Sequence, residues 1–532
     1  MNKTVLTSVS ILALSMGGAA FAQSAPVDPL TPTAAPSTAA DCPDGINNCS
    51  LVTQDGTNLN TSVTQSGSGN VSDVDQINGS VGTTGAAGVI VNQGGTNATS
   101  YVLQSGTGIA GFASEINVVQ SGDSASSTVR QLNTRNAQIY VQQEGDNTSY
   151  LEQGSGLPQV GDGSDAAIRQ FGGAGNTAVA FQQTGNSKIG NVNDQNIIGS
   201  NGITQDGEFN NSEVYQLAGG RSFEARTDQV GDRNDSVLIQ RNIDDNDSMR
   251  ARITQTGDDN DSSVVQSGIN GASNANFAGQ NANIVQSGSD NLSRVEQENF
   301  STGALTSSLQ VIQNEDGNDS FIDQRSGSGR VSITQTSTDT SGIVTGTVVD
   351  NAISGGTDSV RANFSRVAQS GTGRTEAMLT QTGFGNLSDI RQNAPGAAAG
   401  LASAATVEQD GEDQSSFIEQ NGTNDVAFVD QIGGSGNFSR IQQLAGGLGN
   451  EARIDQDGID GESTVEQSGT DNTANLLQGA MTSDNISFIT QSGTGNMADV
   501  FQTSSSNTSF VNQSGTDGNV TVTQGPAVNS LR

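Results

Sequence analysis

The sequence predicts an all-β protein, a β-solenoid or β-helix in which strand-arc-strand coils of about 22 residues present two facing parallel sheets. Three observations support this prediction. Glutamine returns every 11 residues, and residue types alternate strictly between these glutamines. The third is composition: only 32% of the 532 residues are hydrophobic and Trp is absent. Such a chain cannot form a thick core, but thin stacked coils need none.

The 11-residue interval defines half a coil. Gln54, Gln65 and Gln76 follow one another at this spacing, and the end of the chain repeats it at Gln491, Gln502, Gln513 and Gln524. The sequence around these glutamines is nearly constant, as in QSGSGN at 65–70 and QSGTGN at 491–496. Roughly 35 such positions predict some 17 coils, and a stack about 80 Å long at a coil spacing of about 4.8 Å.

Between one Asn and the next Gln, every second residue belongs to the same small set: Asn, Ser or Ala, Val or Ile, and Gln. Because strand side chains alternate between faces, these residues are predicted to point inward and to form amide ladders between coils. The opposite parity, which includes Asp73, Asp389 and Asp499, is expected to meet solvent. The predicted inward ladder residues are Gln65, Asn70, Ser72, Val74, Gln76, Asn291, Ser293, Val295, Gln297, Asn386, Ser388, Ile390, Gln392, Asn496, Ala498, Val500 and Gln502.

The arcs between strands also have a sequence signature. Gly at the third position of Q-x-G-x-x-N supplies permissive backbone angles, and the Asn either adopts a left-handed turn or satisfies turn amides. Interruptions rich in Gly, Ala, Ser and Thr are expected to leave the coils as loops, and 336–368 to contain one degenerate coil. These interruptions are 77–92, 154–168, 268–285, 336–368 and 393–408.

The N-terminal region differs from the repeats. Residues 1–22 have a basic start, an apolar stretch and an A-x-A site, which predicts a Sec-type signal peptide and a secreted, extracellular protein. Residues 23–50 are a Pro/Ala/Thr linker that ends in a cysteine loop. The solenoid is predicted at 51–525, and 526–532 form a C-terminal tail.

Cys42 and Cys49 are the only cysteines of the sequence, and a Pro-Asp-Gly turn lies between them. An oxidising extracellular location favours a disulfide over a reactive thiol or a metal site. Two cysteines in a chain without His make a poor zinc site.

Charge and composition exclude several functions. With 56 acidic and 21 basic residues the net charge is −35, which opposes binding to nucleic acid and to anionic lipid. Beyond the leader no apolar stretch is long enough to insert into a membrane. The absence of His and of a free-Cys constellation argues against a nucleophilic triad, and we expect no enzyme activity and no cofactor.

Two local motifs also have simple explanations in the repeat. The N-x-S/T triplets at Asn291 and Asn437 place Asn and Ser on the same inward face, so we do not interpret them as glycosylation sites. Acidic turns such as 244–247 and 257–261 lack the spacing of known calcium loops, so weak cation screening is the most they predict.

The repeat resembles the curlin repeat of curli fimbriae, whose pattern runs S-x5-Q-x-G-x-x-N-x-A-x3-Q. Gln65, Gly67, Asn70, Ser72 and Gln76 match it position by position, and the resemblance covers about 51–525. It implies an exported subunit that polymerises end to end into a surface amyloid and contributes to adhesion and biofilm. It also implies self-association as the main partner interaction, with other curlin-type subunits and an outer-membrane secretion or nucleation apparatus as further partners.

The chain departs from the curlin pattern in having several times more repeats than the roughly five that are typical, and in its cysteine loop. Two alternatives therefore stay open. One is a monomeric surface β-solenoid that acts as an adhesin or binds a ligand, and ice binding would require regular outward Thr rows. The other is a polysaccharide-active β-helix enzyme, which would require paired carboxylates on one face.

Outward aromatic residues provide a second type of contact. They are expected to pack between neighbouring coils as ladders, with lateral bundling of fibrils as the alternative. The residues are Phe181, Phe321, Phe417, Phe428, Phe488, Phe501 and Phe510.

Overall fold

Successive strands of the chain alternate between two parallel sheets, which are stacked along one axis as the solenoid prediction requires. Throughout the described residues the regular structure is β-strand. The computed structural model describes residues 48–57, 59–80, 88–105, 114–132, 137–154, 165–183, 188–189, 202–217, 223–242, 249–268, 279–299, 307–325, 329–337, 363–371, 373–394, 402–479 and 482–525.

Sheet A has 18 strands, one from each coil. Its strands are β1 (Asn48–Thr57), β3 (Asn70–Ser80), β5 (Thr99–Ser105), β7 (Ser126–Leu132), β9 (Thr148–Gln153), β11 (Thr177–Gln182), β14 (Asn211–Leu217), β16 (Asp235–Asn242), β18 (Asp261–Gly268), β20 (Leu292–Asn299), β22 (Asp319–Arg325), β24 (Asn363–Gly371), β26 (Asn386–Ala394), β28 (Ser415–Gln420), β30 (Phe438–Gln443), β32 (Glu462–Thr470), β34 (Ile486–Thr494) and β36 (Thr508–Thr516).

Sheet B follows the same order, and in one coil its strand is split into β12 and β13, which both lie between β10 and β15. Its strands are β2 (Thr61–Gln65), β4 (Val89–Gln93), β6 (Glu115–Gln120), β8 (Gln138–Gln143), β10 (Asp165–Gly172), β12 (Lys188–Ile189), β13 (Ile203–Gly207), β15 (Phe223–Val230), β17 (Met249–Thr256), β19 (Gln280–Ser287), β21 (Ser307–Asn314), β23 (Gly329–Ser337), β25 (Arg374–Phe384), β27 (Ala402–Glu412), β29 (Val426–Ser435), β31 (Glu451–Gln456), β33 (Thr473–Gln478), β35 (Met497–Gln502) and β37 (Asn519–Gln524).

The coil length varies along the stack. The shortest coils have the predicted 22 residues, as between Gln491 and Gln513, whereas 45 residues separate the stacked Gln324 and Gln369. Stacked coils are on average about 26 residues apart. The register between stacked strands is kept in spite of this variation, because the insertions lie between strands and leave the repeat sequence within each strand unchanged.

The ends of the predicted interruptions belong to strands. Four of the five interruptions run into a sheet B strand at their C-terminal end, as 393–408 does into β27 (Ala402–Glu412). The fifth, 336–368, runs into β24. Residues 338–362, in which a degenerate coil was predicted, lie outside the described residues; the strands on either side are adjacent in both sheets, since β22 pairs with β24 and β23 with β25.

The two sheets enclose a narrow core. Sheet A contributes columns of Ser, Val or Ile, and Gln, while sheet B contributes Ala or a larger aliphatic residue, Val or Ile, and Gln. One continuous apolar cluster runs from Val74 to Val511. Small residues at every second inward position let the two sheets approach closely, so each coil contributes little apolar area and depends on its neighbours for stability.

Candidate functional site

Two unbroken glutamine ladders run the length of the solenoid, one inside each sheet. In sheet A the ladder begins at Gln54 and ends at Gln513, and in sheet B it begins at Gln65 and ends at Gln524. Each Nε2 donates to the Oε1 of the glutamine in the next coil, at 2.7 to 3.2 Å. In most coils the Nε2 group also donates to backbone carbonyls, as Gln255 does to Asp235 and Asn260, so these glutamines use both amide hydrogens within the stack.

All the ladder bonds point in one direction, and this gives the solenoid a polarity. Within the described residues, Gln54 and Gln65 at the N-terminal end present Oε1 atoms that accept no ladder bond. Gln513 and Gln524 at the C-terminal end each donate one Nε2 hydrogen to a backbone carbonyl and have no further ladder partner there. The two ends are therefore chemically different, one offering acceptors and the other donors.

Asparagines form a further ladder in the arcs that lead from sheet B to sheet A. Asn260 Nδ2 donates to Asn234 Oδ1 at 3.0 Å, and Asn291 and Asn318 continue the series at 3.0 and 3.1 Å. The same Oδ1 atoms accept backbone N–H groups of the next coil. The positive φ is taken by the preceding residue, for example 58° at Asp290, so the Asn satisfies turn amides and does not itself adopt the left-handed turn.

The structure places sixteen of the seventeen predicted inward residues at 0 to 1% exposure. Gln65 is half-buried because it lies in the first described coil, beside which no other described coil lies on the N-terminal side. In the QSGTGN coil, Asn496, Val500 and Gln502 line the interior with Ala498 between them. The sequons at Asn291 and Asn437 are buried together with Ser293 and Ser439.

The expectation that residues of opposite parity meet solvent was wrong at Asp73 and Asp389, and the outward carboxylates Glu152, Asp165 and Asp319 are buried as well. Asp73 is 6% exposed, because Leu51 and Tyr101 lie directly above and below it in neighbouring strands. Asp389 is 8% exposed, since the Arg391 guanidinium lies 2.6 Å from its Oδ2. Stacked neighbours of larger size cover a short outward side chain, which parity alone does not reveal.

Outward aromatic residues contact one another between coils. The ring centroids of Phe488 and Phe510 are 5.2 Å apart in a stacked arrangement, and the Phe428 ring lies 4.9 Å beneath the Arg453 guanidinium. Further pairs are Phe321–Phe364, Phe417–Phe438 and Phe181–Tyr215. Phe181 is nearly buried with Tyr215, whereas Phe510 in the penultimate strand is 73% exposed.

The acidic turn at 257–261 has a structural role. Asp258 Oδ1 accepts the backbone N–H of Asp232 at 2.8 Å, and Asp259 forms two hydrogen bonds with Arg233. In the part of the chain that the structure describes, no group of three or more potential ligand side chains could hold a metal ion. The turn at 244–247 lies outside the described residues.

Cys49 lies in β1 and is disulfide-bonded. Cys42, the only other cysteine of the sequence, lies outside the described residues, as do residues 1–47 with the predicted signal peptide and most of the linker. The tail at 526–532 is also outside them.

Apolar side chains are partly or largely exposed in the first and last described coils. At the N-terminal end Leu51 and Val52 in β1 are 41 and 43% exposed, and Val63 in β2 is half-buried. At the C-terminal end Phe510 is exposed and Val522 is half-buried. Of the four terminal strands β1, β2, β36 and β37, only β1 contains a charged residue, Asp55.

Fold and ladders together define a class, the two-sheet parallel β-solenoids with internal amide ladders. No protein-family model matches the chain, and no curated protein matches it. Among the described residues no helix is long and apolar enough to cross a membrane.

Proposed function

We propose that this protein is a structural subunit of an extracellular, curli-like amyloid fibre. Its solenoids stack end to end, and the fibre contributes to adhesion and to a biofilm matrix. The observation that carries the proposal is the pair of solenoid ends: within the described residues, each end presents two strands that pair on one side only and the last members of both glutamine ladders. Open strand edges recruit further strands unless they are blocked.

The two ends match each other in register. If the C-terminal coil of one copy meets the N-terminal coil of a second, β36 aligns with β1 and β37 with β2, as strands align inside the solenoid. Val511 then packs on Val52 of the second copy, and Gln513 Nε2 faces Gln54 Oε1. The ladder polarity favours this head-to-tail contact, because two like ends would bring acceptors against acceptors or donors against donors.

Charge distribution favours the same contact. The chain has a net charge of −35, so most ways of bringing two copies together oppose carboxylates. The terminal strands avoid opposed carboxylates, since β2, β36 and β37 contain no charged residue and Asp55 in β1 would align with the uncharged Ser514 of the other copy. Natural sheet edges are usually protected by charges or Pro, so the uncharged edges support assembly as their role.

The extracellular location and the biofilm role rest on the predicted signal peptide and on the curlin resemblance. The partners proposed on the same ground are other curlin-type subunits and a secretion or nucleation apparatus at the outer membrane. We propose no catalytic role and no cofactor.

The first test is incubation of the purified mature chain at neutral pH with thioflavin T, followed by fibre diffraction. We expect fibres with spacings of about 4.7 and about 10 Å. A sample that stays monomeric and thioflavin-negative after seeding contradicts the proposal.

The second test blocks one end. The double variant Val52→Lys, Val63→Lys places two ammonium groups where a second copy must bury aliphatic side chains, and an unpaired buried charge is strongly unfavourable. The matched control, Thr464→Lys, adds a charge to an outward position of an interior coil. We expect the double variant to fold, to stop growth, and to cap wild-type seeds at one end only, whereas the control elongates. Elongation of both at the wild-type rate would exclude stacking through these ends.

A further inference from the structure

One carboxylate occupies an asparagine position inside the solenoid. In the arcs that lead from sheet A to sheet B, the residues stacked on one another in four consecutive coils are Asp425, Asn450, Asn472 and Asn496. Asp425 is 0% exposed. Its Oδ1 takes the acceptor role of the ladder, since it accepts the backbone N–H of Asn450 at 3.1 Å and the Asn450 Nδ2 at 3.3 Å.

The donor role is the one that an ionised aspartate cannot take. In the three following coils the asparagine Nδ2 donates to a glycine carbonyl of the next coil, for example from Asn450 to Gly469 at 3.0 Å and from Asn496 to Gly515 at 3.2 Å. At Asp425 this side of the group is Oδ2, a buried oxygen that makes no hydrogen bond meeting normal geometry with a described residue.

The local geometry brings Oδ2 towards another acceptor. A Cβ built on Gly422 would lie 2.2 Å from Asp425 Oδ2 and 2.7 Å from the Gly447 carbonyl oxygen, so both oxygens adjoin the same small space. Two acceptors in a buried site repel each other unless a hydrogen lies between them. A protonated carboxyl supplies that hydrogen.

The electrostatic surroundings act in the same direction. Burial raises the pKa of Asp425, and the opposing contributions of the Asn450 backbone and side chain and of the Gly422 N–H are smaller. Most charged side chains on the strands around this arc are carboxylates: Glu408, Asp410 and Glu412 in β27, Glu419 in β28, Asp430 in β29, and Glu451 and Asp455 in β31. Two arginines lie on the same strands: Arg453 in β31 lies over the Phe428 ring and 3.7 Å from Asp455, and Arg440 in β30 donates to Gln442. Neither arginine contributes to the shift of the Asp425 pKa, so no nearby cation stabilises an ionised Asp425.

We propose that Asp425 binds a proton in the folded solenoid, and that the neutral acid donates the missing ladder hydrogen bond towards the Gly447 carbonyl. This arc is then a pH-responsive joint between coils. The folded state holds the proton to a higher pH than the unfolded chain does, so the joint is most stable in mild acid and weakens as the pH rises through the range in which the folded acid ionises. The inference concerns the solenoid itself and does not depend on fibre formation.

The test is hydrogen exchange of residues 420–450 in the full chain between pH 4.5 and 8, expressed as protection factors. Asp425→Asn restores the asparagine and removes the titration, so we expect it to raise protection at pH 8 and to flatten the pH dependence. The gain is about tenfold for each unit by which the acid's pKa is raised. The control Asp499→Asn removes one outward charge and is expected to leave this arc unchanged.

A second measurement detects the proton directly. The infrared difference spectrum of wild type minus Asp425→Asn at pH 5.5 is expected to contain the band of a protonated carboxylic acid, which is lost at pH 8. A difference spectrum without this band, or an Asp425→Asn chain that is no better protected than wild type at pH 8, overturns the proposal.

Discussion

The inward polar positions of this solenoid require side chains that can donate and accept hydrogen bonds at the same time. Glutamine provides two donors and an acceptor, and Gln502 uses them on Gln478, Gln524 and the Ile486 carbonyl. The acid of the same shape lacks the donors when it is ionised. The sequence can therefore vary freely at outward positions, whereas the inward amides tolerate little change.

Substitution in one strand should separate inward from outward positions. Gln502→Glu removes the Nε2 group that donates to Gln524 Oε1 at 2.8 Å, which we expect to destabilise the last coils by about 1 to 3 kcal/mol. Val500→Asp buries a charge and should act in the same direction. Asp499→Asn changes a partly exposed side chain and should be neutral or mildly accelerate assembly.

The measurements for this series are hydrogen exchange at 491–524 and seeded growth rates. Because coils contact mainly their neighbours, the effect should be confined to this end of the stack. Equal tolerance at residues 499, 500 and 502 would contradict the inward and outward assignment.

A carboxylate column on the outer face of sheet B should make stability depend on pH. Glu408, Asp430 and Asp455 lie on three successive coils, and burial, together with the charges of Asp455, Glu408 and Asp457, raises the pKa of Asp430 from its ordinary value of 3.8 to about 6. The folded state therefore binds more protons than the unfolded state between about pH 4 and 6. The contribution of Asp430 to stability therefore falls as the pH rises through this window and does not change above it.

Asp430→Asn tests this window. We expect the variant to be more stable than wild type at pH 7, on the order of 1 kcal/mol after allowance for solvent screening, and equal to it at pH 3.5. Urea unfolding at the two pH values measures both differences. A variant that is no more stable than wild type at pH 7 would contradict repulsion between Asp430 and its neighbouring carboxylates.

Among the elements, the arcs set the tolerance for change. Most stretches outside the described residues join a sheet A strand to the next sheet B strand, whereas 338–362 and 480–481 lie on the return path. The return arcs with the Q-x-G-x-x-N text are mostly uniform in length. They contain the Asn ladder and a glycine that meets the next coil closely, so insertion there would interrupt two sets of contacts.

Two glycines in arcs that lead from sheet A to sheet B provide a matched test of the same kind of close approach. Gly493 has a φ of 104°, and an added Cβ would lie 1.9 Å from the Gly515 carbonyl oxygen. Gly446 has a φ of 83° with no atom within 4 Å of an added Cβ. Gly446→Ala should therefore cost only the left-handed strain of about 1 to 2 kcal/mol, whereas Gly493→Ala must also displace the next coil. Urea unfolding is expected to show the larger loss for Gly493→Ala, and equal losses would contradict the contact.

For the whole molecule, assembly is a balance between attractive ends and a repulsive body. The end strands, in which Asp55 is the one charged residue, offer hydrogen bonds and aliphatic contacts, but two copies with a net charge of −35 each repel one another over the Debye length. The repulsion keeps unassembled chains apart and slows the first contact between ends.

Salt should therefore accelerate assembly. The Debye length falls from about 10 Å at 0.1 M to about 3 Å at 1 M ionic strength, so raising NaCl should shorten the thioflavin lag and raise the elongation rate. Sulfate at matched ionic strength distinguishes screening from salting out. A lag that lengthens with NaCl would contradict a charge-limited encounter.

The sequence by itself determined the all-β solenoid, the two parallel sheets and the positions of the strands. It could do so because a side-chain period of two and a glutamine period of 11 leave few alternatives to stacked coils. The sequence did not determine the coil length, because insertions between strands carry no periodic signal. For the same reason the predicted interruptions end too late in the sequence, since their last residues belong to strands.

Only the tertiary structure decided features that depend on what stacks above and below a residue. Asp73 is covered by Leu51 and Tyr101 of the neighbouring coils, and Asp389 by Arg391 of its own strand. Strand parity does not predict either contact. The direction of the glutamine ladders and the difference between the two ends arise from amide orientation along the stack. The isolated carboxylate at Asp425 stands in a ladder that exists only when 22- to 25-residue separations bring four arcs together, and no local sequence pattern distinguishes it from a solvated turn.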